Sequence, residues 1–498
     1  MKSLLLGTAA GLVAMSGAQA ADLPVKAKPV EYVKVCSLYG VGFYYIPGTD
    51  MCLKVGGWAR FETAYGYNGS LTSEWYNNNL NNRSTNDNTW RVKGNITLDA
   101  RSPTEYGTVR SYVDVGLSTS QNGNGTGATA PGGDDYANYA NRWFIQWAGF
   151  TAGRSTSFFD FYSIGANQYG FVTAGSDSGD GGWLVFAYTA QFGNGFSASL
   201  SAEEQRRTRI MNEGFGTNGL TGSALAQGAA GSPQGSNYQG HDYPDVVVNL
   251  RVDQAWGSAQ VMGALHDVGG NYYGPDERFG HPDNKMGFAL GAGIKLNAPM
   301  IGPGDYFQIE GDYTQGASRY ANMTSAAFDY SMYKGNSYGW GYNSDAVYGG
   351  TVGTGTASNL ELTTAWAVNA GYTHNWNAAW KSTLWGSYFA MNYDSNANNM
   401  ICDEAFGVNA GSLAVPVTGC NMDWSVWGGG LRTQWAVSST FQIGLEVIYS
   451  KLQSATIGQP GGAFLTLPSN GTKPAASYAT SDMDNWAVRF RVNRDFYP

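Results

Sequence analysis

WRVKGNITLDAR, residues 90–101, is the stretch whose reading decides the fold. Trp90, Val92, Gly94, Ile96, Leu98 and Ala100 share one parity, and Arg91, Lys93, Asn95, Thr97, Asp99 and Arg101 share the other. Successive side chains of a strand point to opposite faces, so as a strand this segment has one apolar face and one face bearing four charges. A soluble protein turns such an apolar face to its core and the charged face to bulk water. Whether that assignment holds or is inverted depends on the segments around it.

The neighbours have the same character. LKVGGWARFETAY (53–65) sets Leu53, Val55, Ala59 and Phe61 against Lys54, Arg60 and Glu62, and TVRSYVDVGL (108–117) sets Val109, Val113, Val115 and Leu117 against Arg110 and Asp114. The same pattern predicts strands near 142–149, 150–155, 183–193, 196–206, 244–256, 258–268, 286–297 and 305–315, then 362–376, 379–393, 424–437, 440–452 and 484–496. That makes about sixteen, most of them near ten residues long. Their links alternate in length. Turn-like pieces such as Gly193–Asn194–Gly195 and Asn377–Ala378 alternate with stretches such as 207–243, 316–361, 394–423 and 453–483, rich in Gly, Asn, Ser and Tyr.

A β-sandwich also alternates, but strands of four to eight residues suffice for it. An even count of longer strands, with one tight edge and one elaborate edge, fits a transmembrane antiparallel β-barrel. Trp and Tyr gather near strand ends (Trp58, Tyr65, Trp90, Trp147, Trp376, Trp435), where rings with an apolar and a polar part settle at headgroup depth. Holding an Arg or Lys at the lipid midplane costs about 2–4 kcal/mol. The charged face of 90–101 is therefore expected to look inward.

Composition supports the reading. Charged residues make up 13% of the 498, half the roughly 25% of a typical soluble domain, while aromatics reach 14% and Gly numbers 69. No apolar run after the first residues is long enough for a membrane helix. A net charge of -9 without a basic run speaks against a nucleic-acid partner.

Lys2, the apolar LLLGTAAGLVAM (4–15) and AQA ending at Ala20 have the pattern of a secretory signal peptide over residues 1–20. Residues 21–52 then form an N-terminal segment ahead of a barrel spanning 53–498. The four cysteines form two local pairs, Cys36 with Cys52 and Cys402 with Cys420, which suits disulfides in an oxidising compartment. A metal site is the rival reading. No CxxC occurs, and His241, His266, His281 and His374 are scattered.

At YVKVCSLYGVGFYYIPGTDMCLKVGG (32–57) the sequence closely resembles the opening of mature alphaproteobacterial outer-membrane porins, and FTAGRSTSFFDF (150–161) resembles that family's approach to its third loop. The resemblance implies a sixteen-stranded, trimeric general diffusion porin whose third loop folds into the lumen, with outer-membrane lipid and lipopolysaccharide, small hydrophilic solutes and ions as its partners and no cofactor. The family usually ends on an aromatic residue, whereas here Phe496 and Tyr497 precede Pro498.

In a closed barrel the last strand pairs with the first. NWAVRFRVNRDF (485–496) turns Arg489 and Arg491 inward, so these are expected beside Arg60, then Arg91 and Lys93, then Arg110, as one basic wall. Facing it, the third loop (156–182) offers Asp160, Asp177 and Asp180. Opposed charges across a narrow aqueous gap would set up a transverse field that favours small polar solutes. Glu203, Glu310, Asp312 and Glu446 also fall on inward positions, so ion preference stays open. A solute-selective, sugar-type channel is the alternative, with YSMYKGNSYGWGYNSDAVY (330–348) as a stacking surface.

Enzyme motifs are weak. SDSGDGG (176–182) lacks the Gly that precedes a serine-protease Asp-Ser-Gly and has no placed His. Asp177 and Asp180 lack the spacing of a calcium loop. Glu203/Glu204 and Glu310/Asp312 have no cleft partner for glycoside hydrolysis.

Overall fold

In the computed structural model the alternating segments pair in chain order, each antiparallel to the next. The structure describes residues 34–66, 79–81, 87–121, 134–162, 164–169, 174–212, 237–274, 276–322, 330–349, 357–402, 419–456, 464–467 and 473–496. The signal segment 1–20, its cleavage point, Tyr497 and Pro498 lie outside these.

Sixteen strands form the wall. They are β1 (Cys52–Tyr65), β2 (Asn88–Thr104), β3 (Gly107–Gln121), β4 (Asp134–Trp147), β5 (Phe150–Ser155), β6 (Trp183–Gly193), β7 (Phe196–Glu203) and β8 (Asp245–Gln254). The second half comprises β9 (Gly257–Val268), β10 (Lys285–Asn297), β11 (Tyr306–Gln315), β12 (Thr364–Asn375), β13 (Trp380–Asn392), β14 (Trp424–Ser438), β15 (Phe441–Gln453) and β16 (Met483–Asp495). β16 pairs with both β15 and β1, which closes the barrel and leaves no open edge. Short turns such as those between Thr104 and Gly107 and between Gln254 and Gly257 lie at one end, and eight long connections lie at the other.

The inversion posed by residues 90–101 is real. Trp90 and Ile96 are 52% and 53% exposed on the outside of β2, while Arg91 reaches inward to the fully buried Glu62. Tall apolar side chains stand exposed around the outer wall, among them Val246, Leu290, Leu384 and Trp486. Among the described residues no helix is long and apolar enough to cross a membrane.

β4 begins at Asp134, eight residues before the segment expected from 142, because its alternation breaks midway. Asp114 pairs with Arg142 but Val115 pairs with Ala140, so Asn141 is an extra residue in the ladder. Such a bulge shifts parity on one strand: Asn138 and Ala140 face out before it, Trp143 and Ile145 after it.

The inner face is not uniformly polar. Towards the long-loop end of β13–β16, Trp385, Phe389, Met391, Trp424, Ile448 and Leu452 point inward and form one buried cluster. They pack against the hairpin Tyr330–Lys334/Ser337–Gly341 of the sixth long loop. Tyr330, Tyr333, Tyr338, Trp340 and Tyr342 are all buried there. This corrects the stacking surface expected of 330–348: those rings are spent on packing and are closed to a solute. The reason is hydrophobic, since an apolar inner wall left facing water would cost about 25 cal/mol per Å².

Both cysteine pairs are disulfides, Cys36–Cys52 and Cys402–Cys420. The first ties the N-terminal segment to the start of β1, where Tyr44–Tyr45 adds a short antiparallel pairing to Cys52–Leu53. Phe43 of this segment lies beneath the inward-facing Arg101 and Lys54, so the segment folds against the inner wall at the short-turn end.

Candidate functional site: the lumen and its third loop

The register of the closing strands sets which charges meet. Reading across the inner face, Arg491, Glu62 and Arg91 form one row, and Asn493, Arg60 and Lys93 form the next row towards the short turns. Arg60 therefore neighbours Lys93 as expected, but its partner on β16 is Asn493, whose side-chain oxygen accepts from Arg60 Nε at 3.1 Å.

Glu62 was missed in the expected basic wall. It accepts from Arg91 Nε at 2.9 Å and from Arg491 Nε at 2.7 Å, with a terminal nitrogen of each at 2.5 Å. Arg489 is next to it at 4.0 Å. A carboxylate on the inward parity of β1, among cations from both flanking strands, was the sequence signal that could have revealed it.

Arg110 does not belong to this wall. Its cross-strand partner is Arg101, eight residues further along β2 than Lys93. Both guanidiniums share Asp99, Arg110 at 3.0 Å and Arg101 at 2.8 Å. The expected wall of six cations thus splits into five and one, and the one, Arg110, joins Arg101 in a second group. The upper group holds Arg60, Arg91, Lys93, Arg489 and Arg491, and the lower group, near the short turns, holds Arg101 and Arg110.

The described residues of the third loop, 156–162, 164–169 and 174–182, lie inside the barrel between opposite walls. The loop leaves β5 against β7 and β8, where Glu203 accepts from Ser157 Oγ at 2.6 Å and from the Phe158 amide at 2.9 Å. Phe159 and Phe161 then pack on Val247, Met262 and Ala289 of the inner wall. Phe161 fits because position 293 is Gly; a Cβ there would overlap its ring.

The tip docks on β14–β16. Arg432 donates to the carbonyls of Gly165 and Ala166, Arg489 and Arg491 donate to the Tyr169 carbonyl, and the Tyr169 amide donates to Glu446 at 2.9 Å. Gly444 leaves the space that the Tyr169 hydroxyl occupies. The Arg491 guanidinium stacks on the Tyr169 ring with its centre 3.9 Å from the centroid. Arg489, 1% exposed, is consequently a clamp for the loop and not part of the water-facing lining.

The three carboxylates of the loop have three different roles. Asp160 is buried, ion-paired to Arg206 at 3.0 Å and bonded to Ser176 Oγ and to the amide and hydroxyl of Ser178. It is a loop anchor, since a buried carboxylate needs such partners, and this corrects its placement facing the lumen. The same bonds absorb both serines of SDSGDGG into loop packing.

Asp177 caps the loop's own backbone, accepting from the amides of Ile164 and Gly179 at 2.8 and 2.7 Å. Burial and the neighbouring Asp160 charge push its carboxyl up to about 6. Asp180 alone is exposed. Its charge interacts with Lys93 and Arg142. The limb that carries it is held by Arg142 to the Gly179 carbonyl and by Arg154 to the Gly181 carbonyl, both at 2.5 Å.

Inward-facing and not fully buried are Arg60, Arg91 and Lys93 on β1 and β2, Asp114 and Tyr139 on β3 and β4, and Asp180 on the return limb. Glu310 and Asp312, also on inward positions, are buried behind the loop, where Asp312 accepts from the Ser176 amide at 3.1 Å.

Residues 22–488 match the porin subfamily. The porins Omp2b of Brucella canis and of Brucella abortus (strain 2308) are 32% identical over 276 residues, which is 54% of this chain and 66% of each relative. The matched stretch thus spans just under two thirds of their length. The outer membrane channel DcaP of Acinetobacter baumannii has a similar fold, with a TM-score of 0.54 at 13% identity over 91% of this chain and 99% of that one.

Proposed function

The chain belongs to the porin subfamily, a family of outer-membrane β-barrel channels rather than of enzymes, and from that premise we propose that it forms a water-filled channel for passive diffusion of small hydrophilic solutes and ions. The observation that carries the reading is the inverted wall. Exposed apolar side chains face outward over all sixteen strands, while Arg60, Arg91 and Lys93 stand on the inward parity of β1 and β2.

Such a lumen admits solutes by size and charge without a binding step. Arg60, Arg91 and Lys93 on the wall and Asp180 on the loop line its narrowest part, and Arg489 and Arg491 hold the loop tip beside them. Asp160 and Asp177 hold the loop in place, and Arg110 with Arg101 and Asp99 lines the periplasmic vestibule. The long loops face the cell exterior. The N-terminal segment carrying Cys36 and Cys52 sits at the periplasmic mouth. Lipopolysaccharide and outer-membrane lipid contact the outer wall, and the channel assembles as a homotrimer. It catalyses no reaction and takes no cofactor.

Purified protein in planar lipid bilayers tests the reading. Stepwise ohmic conductance is expected, together with liposome-swelling rates that fall smoothly with solute size. Bilayers that stay silent in the presence of folded, heat-modifiable protein would refute the channel. Saturable, competable flux would replace diffusion with a solute-selective mechanism.

A further inference from the structure

Resting on the channel reading above, we infer that the lumen selects for anions, and that the side-by-side pair Arg60 and Lys93 is the point where small oxyanions such as phosphate and carboxylates are drawn through the narrow part. The chain as a whole carries -9, so this preference is a property of where charges are placed, not of net charge.

Arg60 and Lys93 are directly opposite each other on β1 and β2. Like charges directly opposite on a sheet repel, and a structural pair would be relieved by a carboxylate. Among the described residues neither has one within 4.0 Å; the nearest acids on the wall are already engaged. Glu62 is enclosed by Arg91 and Arg491, a trio that is itself net positive, and Asp114 is bonded to Asn95 at 2.8 Å and keeps its charge.

Both cations lie flat on aromatic rings, Arg60 over Trp58 at 4.3 Å and Lys93 over Tyr139 at 4.6 Å. A ring face holds a long cationic side chain in place without neutralising it. The pair is therefore fixed, partly exposed and short of counter-charge. Arg60, Arg91, Lys93 and Arg491 against Glu62, Asp114 and Asp180 leave one positive charge in excess.

The track continues beyond the pair. Towards the periplasmic mouth Arg101 and Arg110 share the single Asp99, so an anion leaving Arg60 and Lys93 meets a second net-positive step. Across the lumen the third loop packs on β8–β11, and beside β1 the aromatic hairpin of the sixth loop covers the long-loop end of β13–β16. The open water path therefore runs along the β1–β4 wall that carries these cations.

One unit of uncompensated charge about 4 Å from a passing ion changes its local concentration about fivefold, even at the dielectric constant of water. The test is the reversal potential of single channels in a KCl gradient near 0.1 M. A chloride-over-potassium permeability ratio of about five is expected, shrinking towards one at 1 M salt as screening shortens to about 3 Å. The double variant Arg60→Gln/Lys93→Gln, folded by heat-modifiable mobility, leaves one negative charge in excess and should bring the low-salt ratio below one. Asp180→Asn should move it the other way, which keeps the inference testable if the double variant does not fold.

A potassium preference, or a ratio unchanged in the folded double variant and in Asp180→Asn, overturns the inference while leaving the channel intact. Absence of any conductance step overturns the channel reading itself.

Discussion

Glu62→Gln removes one negative charge where the first and last strands meet. The side chain keeps its shape, but Arg91 and Arg491 lose the carboxylate that bridges them, and Arg489 at 4.0 Å loses its nearest counter-charge. Removing one partner of a buried ion pair costs about 3–5 kcal/mol. Arg91 and Arg491 retain 22% and 15% side-chain exposure, and water reaching them lowers the penalty, so the expected loss is near the lower end, about 3 kcal/mol. Arg491 also holds the Tyr169 carbonyl, so the third loop should loosen with the seam. Urea unfolding in phospholipid vesicles, followed by gel mobility and tryptophan fluorescence, measures the loss as a lower midpoint at unchanged slope. A double-mutant cycle with Arg91→Gln isolates the pair and should return a coupling above about 1 kcal/mol. A Glu62→Gln loss below about 0.5 kcal/mol, within the range of ordinary surface changes, or a coupling near zero, would refute the role of Glu62 in bridging Arg91 and Arg491.

Three further outcomes follow from the geometry. Asp177, with its carboxyl at about 6 against an ordinary value near 3.9, binds a proton more tightly in the folded loop. Its stabilisation of the loop is therefore full below about pH 4 and lost as pH rises through about 6. Open-channel noise should rise across that window in the wild type and not in Asp177→Asn; a flat profile in the wild type counts against the placement of this carboxyl. Trp340→Ala empties a fully buried site between the sixth-loop hairpin and the inner wall, at a cost of about 3–5 kcal/mol. Limited proteolysis of intact barrels should then cut near residues 334–336, and equal resistance of variant and wild type would contradict the packing. Cys36→Ser/Cys52→Ser opens a bridge between residues 16 apart, worth about 3 kcal/mol. Faster proteolysis of residues 34–51 with an unaltered barrel is expected, and an unchanged rate would show that the aromatic contacts alone hold the segment.

Much of the fold was legible because strand alternation is local. Which residues of 90–101 face outward follows from a period of two and from the cost of a charge in lipid, and neither depends on the rest of the chain. The turn lengths likewise showed which end was tight. The site was less legible. Arg489 and Arg491 were placed on the right face of the right strand, yet a shift of two residues in the closing register separates a wall beside Arg60 from a cluster around Glu62. The inward aromatics of β13 left a trace in LWGSYFAM (384–391), apolar on both parities, as expected of a strand covered on both faces.

By itself the sequence determined the barrel, its strand count, its inside and outside, and the two cysteine pairs, because those rest on side-chain direction and hydrophobic transfer within ten or twenty residues. Only the tertiary structure decided that Asp160 would be buried against Arg206, that Arg110 would stand apart with Asp99, that two long loops would fold inward, and that Arg60 and Lys93 would face water together. Those outcomes depend on the register at closure and on pockets such as those left by Gly293 and Gly444. Each joins residues far apart in the chain, so no local period records them.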